Sequence, residues 1–317
     1  MPNFWKKLAK PFFVLAPMDD VTDTVFRQIV ARAASPDVFF TEFANADGFC
    51  SPGRPAVEKK LKFSAVEKPL VAQIWGLKPE NYFAMATEIK ALGFAGIDIN
   101  MGCPEKKVVK TGACAALMSN RALAEEIIKA TREAAGDLPV SVKTRIGLHK
   151  IITEDWIGFL LGLNLAALTA HVRTVKEMSK APAHWEEFGK IVELRNQISP
   201  ATIIIGNGDI KTREVGIELC QTYNLDGAMI GSGIFQNLFV FAETQTKHSP
   251  AEMLGLLLEH ARLYEKTWGK QKNFAALKKM FKVYAAGFPG ASELRAELMG
   301  CQNYGEAQRI IDGFIGL

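Results

Sequence analysis

The chain has 317 residues, 48% of them hydrophobic and 23% charged, the composition of a soluble globular protein with one large α/β domain and a smaller appendage. Its net charge of +4 does not by itself announce a polyanionic partner. Residues 1–10 carry no apolar stretch ahead of a small-residue cleavage site, and the longest apolar stretch, 159–170, is broken by Gly162 and Asn164, so neither a secretory signal nor a membrane span is expected.

Cys50, Cys103, Cys114, Cys220 and Cys301 form an odd set with no CxxC pair. That argues against a disulfide framework or a zinc site, and fits a reducing, cytoplasmic setting.

In chain order, short β-branched or apolar runs predict strands over 12–18, 38–44, 70–75, 96–100, 140–145, 168–174, 202–207 and 228–231. Amphipathic segments lie between most of them, at 23–34, 80–92, 121–134, 185–197 and 212–223. Eight strands with helical crossovers over roughly 230 residues point to a (β/α)₈ TIM barrel. A doubly wound sheet is the competing architecture, but no compelling GxGxxG follows the first strand. Residues 45–68, rich in Gly, Pro and Lys, read as a long loop with a short helix near 56–62, of the kind that serves the active face of a barrel. Strand signals stop after Ser249-Pro250. Helical spacing over 251–266, 274–286, 292–299 and 304–314 then predicts a small C-terminal helical domain from about residue 247.

Reactive groups of a parallel barrel belong at the C-terminal ends of its strands. Here those ends carry Pro17-Met18, Gln73, Asn100 through Pro104, Lys143 through Arg145, His171 through Arg173, Asn207 through Asp209, and Gly231 through Gly233. The last two follow the seventh and eighth predicted strands, where barrels commonly bind phosphate, and their glycines let backbone N–H groups approach an anion. Lys143 could stabilise negative charge on the pyrimidine edge of a reduced flavin, or form a Schiff base as in barrel aldolases. His171, at the same rim, suits a hydrogen-bonding partner for cofactor or substrate. Cys103 sits in a turn fixed by Gly102 and Pro104, and a protonated thiol there can donate a proton as readily as attack. Cys114 reads as the filler of a small-residue position.

The segment Asp98-Ile99-Asn100-Met101-Gly102-Cys103-Pro104, followed by the small-residue loop 112–118, resembles the signature of the tRNA-dihydrouridine synthases. The opening Ala16-Pro17-Met18, the run 141–147, His171-x-Arg173-Thr174, Gly206 through Ile210, and Tyr284 through Ala291 with Leu294-Arg295 are also similar to that family. The resemblance covers essentially the whole chain. It departs where the family more often has glycine at the positions of Cys114 and Val172 and arginine at that of Ser232, which weakens any side-chain contact of Ser232 with a phosphate.

The resemblance implies an FMN-binding barrel over residues 1–246 and a tRNA-binding helical domain over 247–317. The FMN phosphate would rest on Asn207, Gly208, Asp209, Gly231 and Ser232, with Pro17 and Met18 at the ring. Gln73 and Lys143 would meet the pyrimidine edge, and His171 would assist. The implied reaction delivers hydride to C6 of a tRNA uridine and a proton from Cys103 to C5, with NADPH as ultimate reductant. Asn100, Lys143, Arg145, His171 and Arg173 would face the substrate. No metal and no obligate protein partner are implied.

Between residues 262 and 282 stand Arg262, Lys266, Lys270, Lys272, Lys278, Lys279 and Lys282 against Glu265 alone, an electrostatic track for an RNA backbone beside Arg145 and Arg173. Helical spacing places Lys278 and Lys282 on one face, making them the first candidates for phosphate contact. Two enzymatic alternatives remain at this level: a flavin barrel acting on a small pyrimidine or enone, and a Schiff-base aldolase built on Lys143. A third, non-catalytic RNA binding, leaves the polar rim without a use.

Overall fold

The computed structural model describes residues 3–316. Nine parallel strands make one sheet: β1 (Phe12–Leu15), β2 (Phe39–Phe40), β3 (Ala44–Asn45), β4 (Leu70–Trp75), β5 (Gly96–Met101), β6 (Val140–Arg145), β7 (Ala167–His171), β8 (Ile203–Asn207) and β9 (Gly227–Ile230). The order is β1-β9-β8-β7-β6-β5-β4-β2. The two-residue β3 continues the course of β2 and pairs with the far end of β4, Ala44 opposite Ile74 and Asn45 opposite Trp75. A bridge from Val14 to Val38 brings β1 back to the chain entering β2, so eight barrel strands close on themselves. This is the (β/α)₈ architecture that the sequence predicts.

The strands are buried along nearly their whole length, which is why they read as apolar runs rather than alternating ones. Trp5, Phe12, Val14, Phe40, Val71, Ile205 and Met229 form a buried cluster within the barrel. The crossover helices start and stop on local signals. Pro79–Leu92 opens with proline in its first turn and ends at Gly93, whose φ of 80° is left-handed. Arg121–Ala135 and Arg213–Tyr223 are capped by the side chains of Asn120 and Thr212. The first strand stops at Leu15, short of the predicted 18, because the chain turns at Met18, whose backbone is tied to the Thr22 hydroxyl on both sides. In the long loop, the helix Arg54–Glu58 begins ahead of the predicted 56, set by Pro55 in its first turn.

The chain forms two compact units. One holds the residues through Thr24 with Pro36–Gly231; the other holds Val25–Ser35 with the chain from Ser232 onward. The sequence puts a boundary at 246/247; the long helix Pro250–Trp268 begins a few residues after it, while Ser232 and the turn Ser232–Phe235, well before it, already fall within the second unit. Inside that unit the Phe26 ring lies 5.9 Å from that of His260, Arg32 is ion-paired with Glu259, and His260 Nδ1 is 2.7 Å from the Tyr284 hydroxyl.

The expected helix over 274–286 is two short pieces, Ala275–Lys278 and Phe281–Tyr284. The interruption breaks the shared face of Lys278 and Lys282. Lys278 points inward, 9% exposed, with Nζ donating to the Met299 carbonyl at 2.8 Å. It caps structure and is not placed to meet a phosphate. Lys266, Lys270, Lys279 and Lys282 are exposed.

Candidate active site

Strand register builds the site. Gln73, Asp98 and Ser141 are consecutive partners across β4, β5 and β6. Two residues further along, Asn100, Lys143 and Thr169 are partners across β5, β6 and β7. Two further again, Arg145, His171 and Asn207 align across β6, β7 and β8. Because alternate strand residues share a face, these polar rows stack on one face, rising toward the C-terminal rim.

The middle row shapes the cysteine turn. Asn100 Oδ1 accepts from the backbone N–H groups of Gly102 (3.1 Å) and Cys103 (2.9 Å), which shapes the bend after β5. At Gly102 a Cβ would come within 3.1 Å of the Thr144 backbone, so a larger residue would press on β6 there. Cys103 is half-buried, and its Sγ accepts hydrogen bonds from the Cys114 thiol and from the Glu105 backbone N–H. These hydrogen bonds, the Cys114 one foremost, outweigh desolvation and hold the Cys103 thiol at about 7. Cys114, fully buried at a left-handed φ of 52°, has its own pKa pushed well up in return. It therefore does more than fill a small-residue position. Cys114→Ala is expected to move the pH midpoint for alkylation of Cys103 from about 7 toward the ordinary thiol value of ~8.5. An unchanged midpoint would show that the two thiols are uncoupled.

A cavity of about 480 Å³ opens beside Cys103, within the size range of ligand pockets. Its walls include Phe43, Val57, Trp75, Val108 and Met178, with the ion-paired Lys60 and Asp19. Phe43, Lys60 and Trp75 were not singled out from sequence. Trp75 lies two residues past Gln73 on the same strand face, a signal that alternation along β4 could have supplied.

Lys143 is half-buried, and its ammonium makes no hydrogen bond or ion pair with any described residue. Burial, then the nearby Arg145, lowers its pKa to about 8. The Thr169 hydroxyl, its register partner, is buried with no hydrogen-bond partner. Burial and the surrounding Arg145, Lys143 and Arg173 hold His171 well below the ordinary imidazole range, so it is neutral near pH 7. Arg173 Nη1 lies 3.2 Å from His171 Nε2 and can only donate, which leaves the ring proton on Nδ1.

At the glycine turn after β8, Gly208 has φ 120°, and a Cβ would press on His171 and Ala183. Asp209 is also left-handed, with its carboxylate ion-paired to Arg173, which lowers its pKa, and bonded to the Ala183 N–H. The backbone N–H groups of Gly208, Asp209 and Gly231 donate to no acceptor among the described residues. Asn207 differs: its side-chain N–H ties β8 to β9 through the Met229 carbonyl at 2.9 Å.

Two expected substrate groups are occupied elsewhere. Arg145 is 5% exposed and donates to the carbonyls of Gly102 (3.1 Å), Thr174 (3.0 Å) and Met178 (2.8 Å). Arg173 is 3% exposed and holds Asp209, His171 and the Ala181 carbonyl. Both guanidiniums brace rim loops rather than reaching out toward a substrate.

A parallel barrel whose loop face gathers a near-neutral thiol, an unpaired cation and two glycine turns is a barrel of the enzyme class. The family model described as Dihydrouridine synthase (Dus) matches residues 14–314, and the chain belongs to that family. A Staphylococcus epidermidis protein named "Probable tRNA-dihydrouridine synthase" is 48% identical over 315 residues, covering 98% of this chain and 96% of the relative. The Bacillus subtilis "Probable tRNA-dihydrouridine synthase 2" is 45% identical, with the same coverages of 98% and 96%. Among solved structures, a variant of NCR from Zymomonas mobilis is similar in fold, with TM-score 0.50 and 14% identity over 79% of this chain and 97% of that one. No helix among the described residues is long and apolar enough to cross a membrane.

Proposed function

We propose that this protein reduces the C5=C6 bond of uridines in tRNA to dihydrouridine, with FMN as its flavin, NADPH as reductant and Cys103 as the proton donor. The observation that carries the reading is the Cys103 thiol, held near 7 at the wall of a cavity large enough for a nucleoside. The family and the names of the relatives support the substrate.

The rim fits a flavin phosphate and ring. Lys143 and Thr169 carry polar atoms without partners among the described residues, and the N–H groups of Gly208, Asp209 and Gly231 are free to donate to an anion. Those N–H groups would hold the phosphate, Lys143 and Gln73 the pyrimidine edge, with Pro17, Met18 and neutral His171 nearby. Bound FMN would supply the hydride that enters uracil at C6.

The protein's own part is to place the base and finish the reaction. Phe43 and Trp75 offer apolar walls to a splayed-out base, whose removal from its stack exposes the C5=C6 edge. Addition of hydride at C6 leaves an enolate spread over C5, C4 and the C4 oxygen, and Cys103 S–H transfers its proton to C5. A donor with pKa near the working pH combines availability of the acid form with driving force. The exposed lysines at 266, 270, 279 and 282 give the second unit a basic surface suited to a phosphate backbone.

Purified protein is expected to take up FMN and, with NADPH, to form dihydrouridine in an unmodified tRNA transcript. Protein that binds no FMN on reconstitution would overturn the flavin half of the proposal. FMN-loaded protein that oxidises NADPH yet leaves tRNA unchanged would overturn the RNA half.

A further inference from the structure

One group in the barrel has no part in this scheme: Asp98, on β5, at 0% exposure. Ser141 Oγ donates to its Oδ1 at 2.6 Å, and Gln73 Nε2 donates to its Oδ2 at 2.8 Å. The Gln73 carbonyl in turn accepts from Asn100 Nδ2 at 3.0 Å, and Asn100 Oδ1 receives the Gly102 and Cys103 N–H groups. An unbroken hydrogen-bonded line thus runs from Ser141 through Asp98, Gln73 and Asn100 to the backbone of Cys103.

The polarity of this line is fixed from the Cys103 end. Backbone N–H groups can only donate, so they require an oxygen from Asn100, which turns its amide nitrogen toward Gln73. That nitrogen requires the Gln73 carbonyl, which turns the Gln73 nitrogen toward position 98. Only an acceptor can stand there, and a carboxylate accepts from Gln73 and Ser141 at once. Burial pushes the Asp98 carboxyl up to about 6. A buried ionised group is costly where an apolar side chain would pack as well, so its use here calls for a task beyond filling space.

We propose that Asp98 is a positioning residue for the reaction: its carboxylate sets the orientation of the Gln73 and Asn100 amides, and through them the turn that carries Cys103. The inference rests on the reading of Cys103 as the acid, yet its test does not depend on flavin or tRNA.

The test is a double-mutant cycle read by alkylation of Cys103 in flavin-free protein. Iodoacetamide modification is followed by mass spectrometry on the peptide bearing Cys103, because Cys50 is exposed and reacts independently. Asp98→Asn presents a donor where one of two donors needs an acceptor. It is expected to disturb the turn and slow alkylation at pH 7 by up to roughly tenfold, as the thiol relaxes toward its ordinary pKa. Gln73→Glu alone sets two carboxyl groups against each other and is expected to disturb the turn as well. Combined, Asp98→Asn and Gln73→Glu restore an acceptor for every donor: the new carboxamide donates to the new carboxylate, which still accepts from Asn100. The double variant is expected to recover the wild-type rate and pH midpoint. If Asp98→Asn does not fold, the comparison of Gln73→Glu with the double variant carries the same information.

In FMN-loaded enzyme, Asp98→Asn is expected to lower kcat on the order of 10–100-fold, the scale of a displaced reacting group, with little change in KM for tRNA. Wild-type alkylation in both single variants would overturn the proposal. So would a double variant as perturbed as the singles, because that pattern reports lost packing rather than lost orientation. If alkylation follows the cycle while Cys103→Ala leaves turnover intact, the positioning stands and the reading of Cys103 as acid falls.

Discussion

Cys103→Ala is expected to bind FMN and accept electrons from NADPH while turning over tRNA ~10²–10⁴-fold more slowly, the usual cost of losing a general acid. The side chain lies outside the glycine turns and the Lys143 row, so its removal leaves the proposed flavin contacts in place. Cys103→Ser keeps an acceptor for the Glu105 N–H but replaces a donor near pKa 7 with a far weaker acid. It too should be slow. The pH dependence has a definite sign: Cys103 must be protonated to act, so the wild-type rate of the tRNA half-reaction should fall as pH rises through about 7. Following oxidation of pre-reduced enzyme by tRNA isolates this step from reduction by NADPH. A Cys103→Ala rate within threefold of wild type would remove the thiol from the mechanism.

Lys143→Met is the second large effect, and it separates binding from stability. The ammonium is unpaired and its pKa is lowered to about 8, mainly by burial. If it meets the flavin, its loss should weaken FMN about 10–100-fold, the scale of a hydrogen bond to a charged group. Methionine keeps an unbranched apolar stem, so the flavin-free variant should be at least as stable as wild type. Between about pH 8 and the ordinary lysine value of 10.5 the unfolded chain binds more protons at this residue than the folded one. Its contribution to stability therefore rises with pH across that window, and the variant should lose this rise. Wild-type FMN affinity should weaken above about pH 8 as the amine discharges, whereas that of the variant should not. Thermal melts and flavin titrations at three pH values check both. Unchanged FMN affinity in the variant would place the flavin elsewhere.

How much of this was legible from sequence varies with the range of the interaction. The barrel and the cysteine turn were readable because apolar runs, helix punctuation and Gly102-Cys103-Pro104 are local signals. The row of Gln73, Asp98 and Ser141 was not, since it arises from register between strands 25 and 43 residues apart. The arginines mislead for the same reason. Arg145 and Arg173 stand at strand ends like surface cations, but their partners are carbonyls and a carboxylate on other loops. In the tail, helical periodicity placed Lys278 on an outer face, and the break between Lys278 and Phe281 turned it inward. The cavity wall from Phe43 to Lys60 spans the end of a predicted strand and a long loop whose composition suggests a place at the active face but does not say which side chains line it.

The helical unit is not a contiguous stretch of chain. Its segment Val25–Ser35, most of the helix Thr24–Ala34, is synthesised before the whole of Pro36–Gly231, and the rest of the unit after it. Bringing ends together across so long an insertion costs on the order of 5 kcal/mol of chain entropy if that insertion is still unfolded, and far less once it has collapsed. During synthesis the early helix must therefore wait for its partners, and the order of events favours barrel first, tail last. The same topology constrains how the protein can be divided or recombined. A fragment beginning at residue 247 would leave behind Phe26 and Arg32, the partners of His260 and Glu259. A chimera that exchanges the tail between relatives would have to carry the early helix with it, or join one protein's helix to another's bundle.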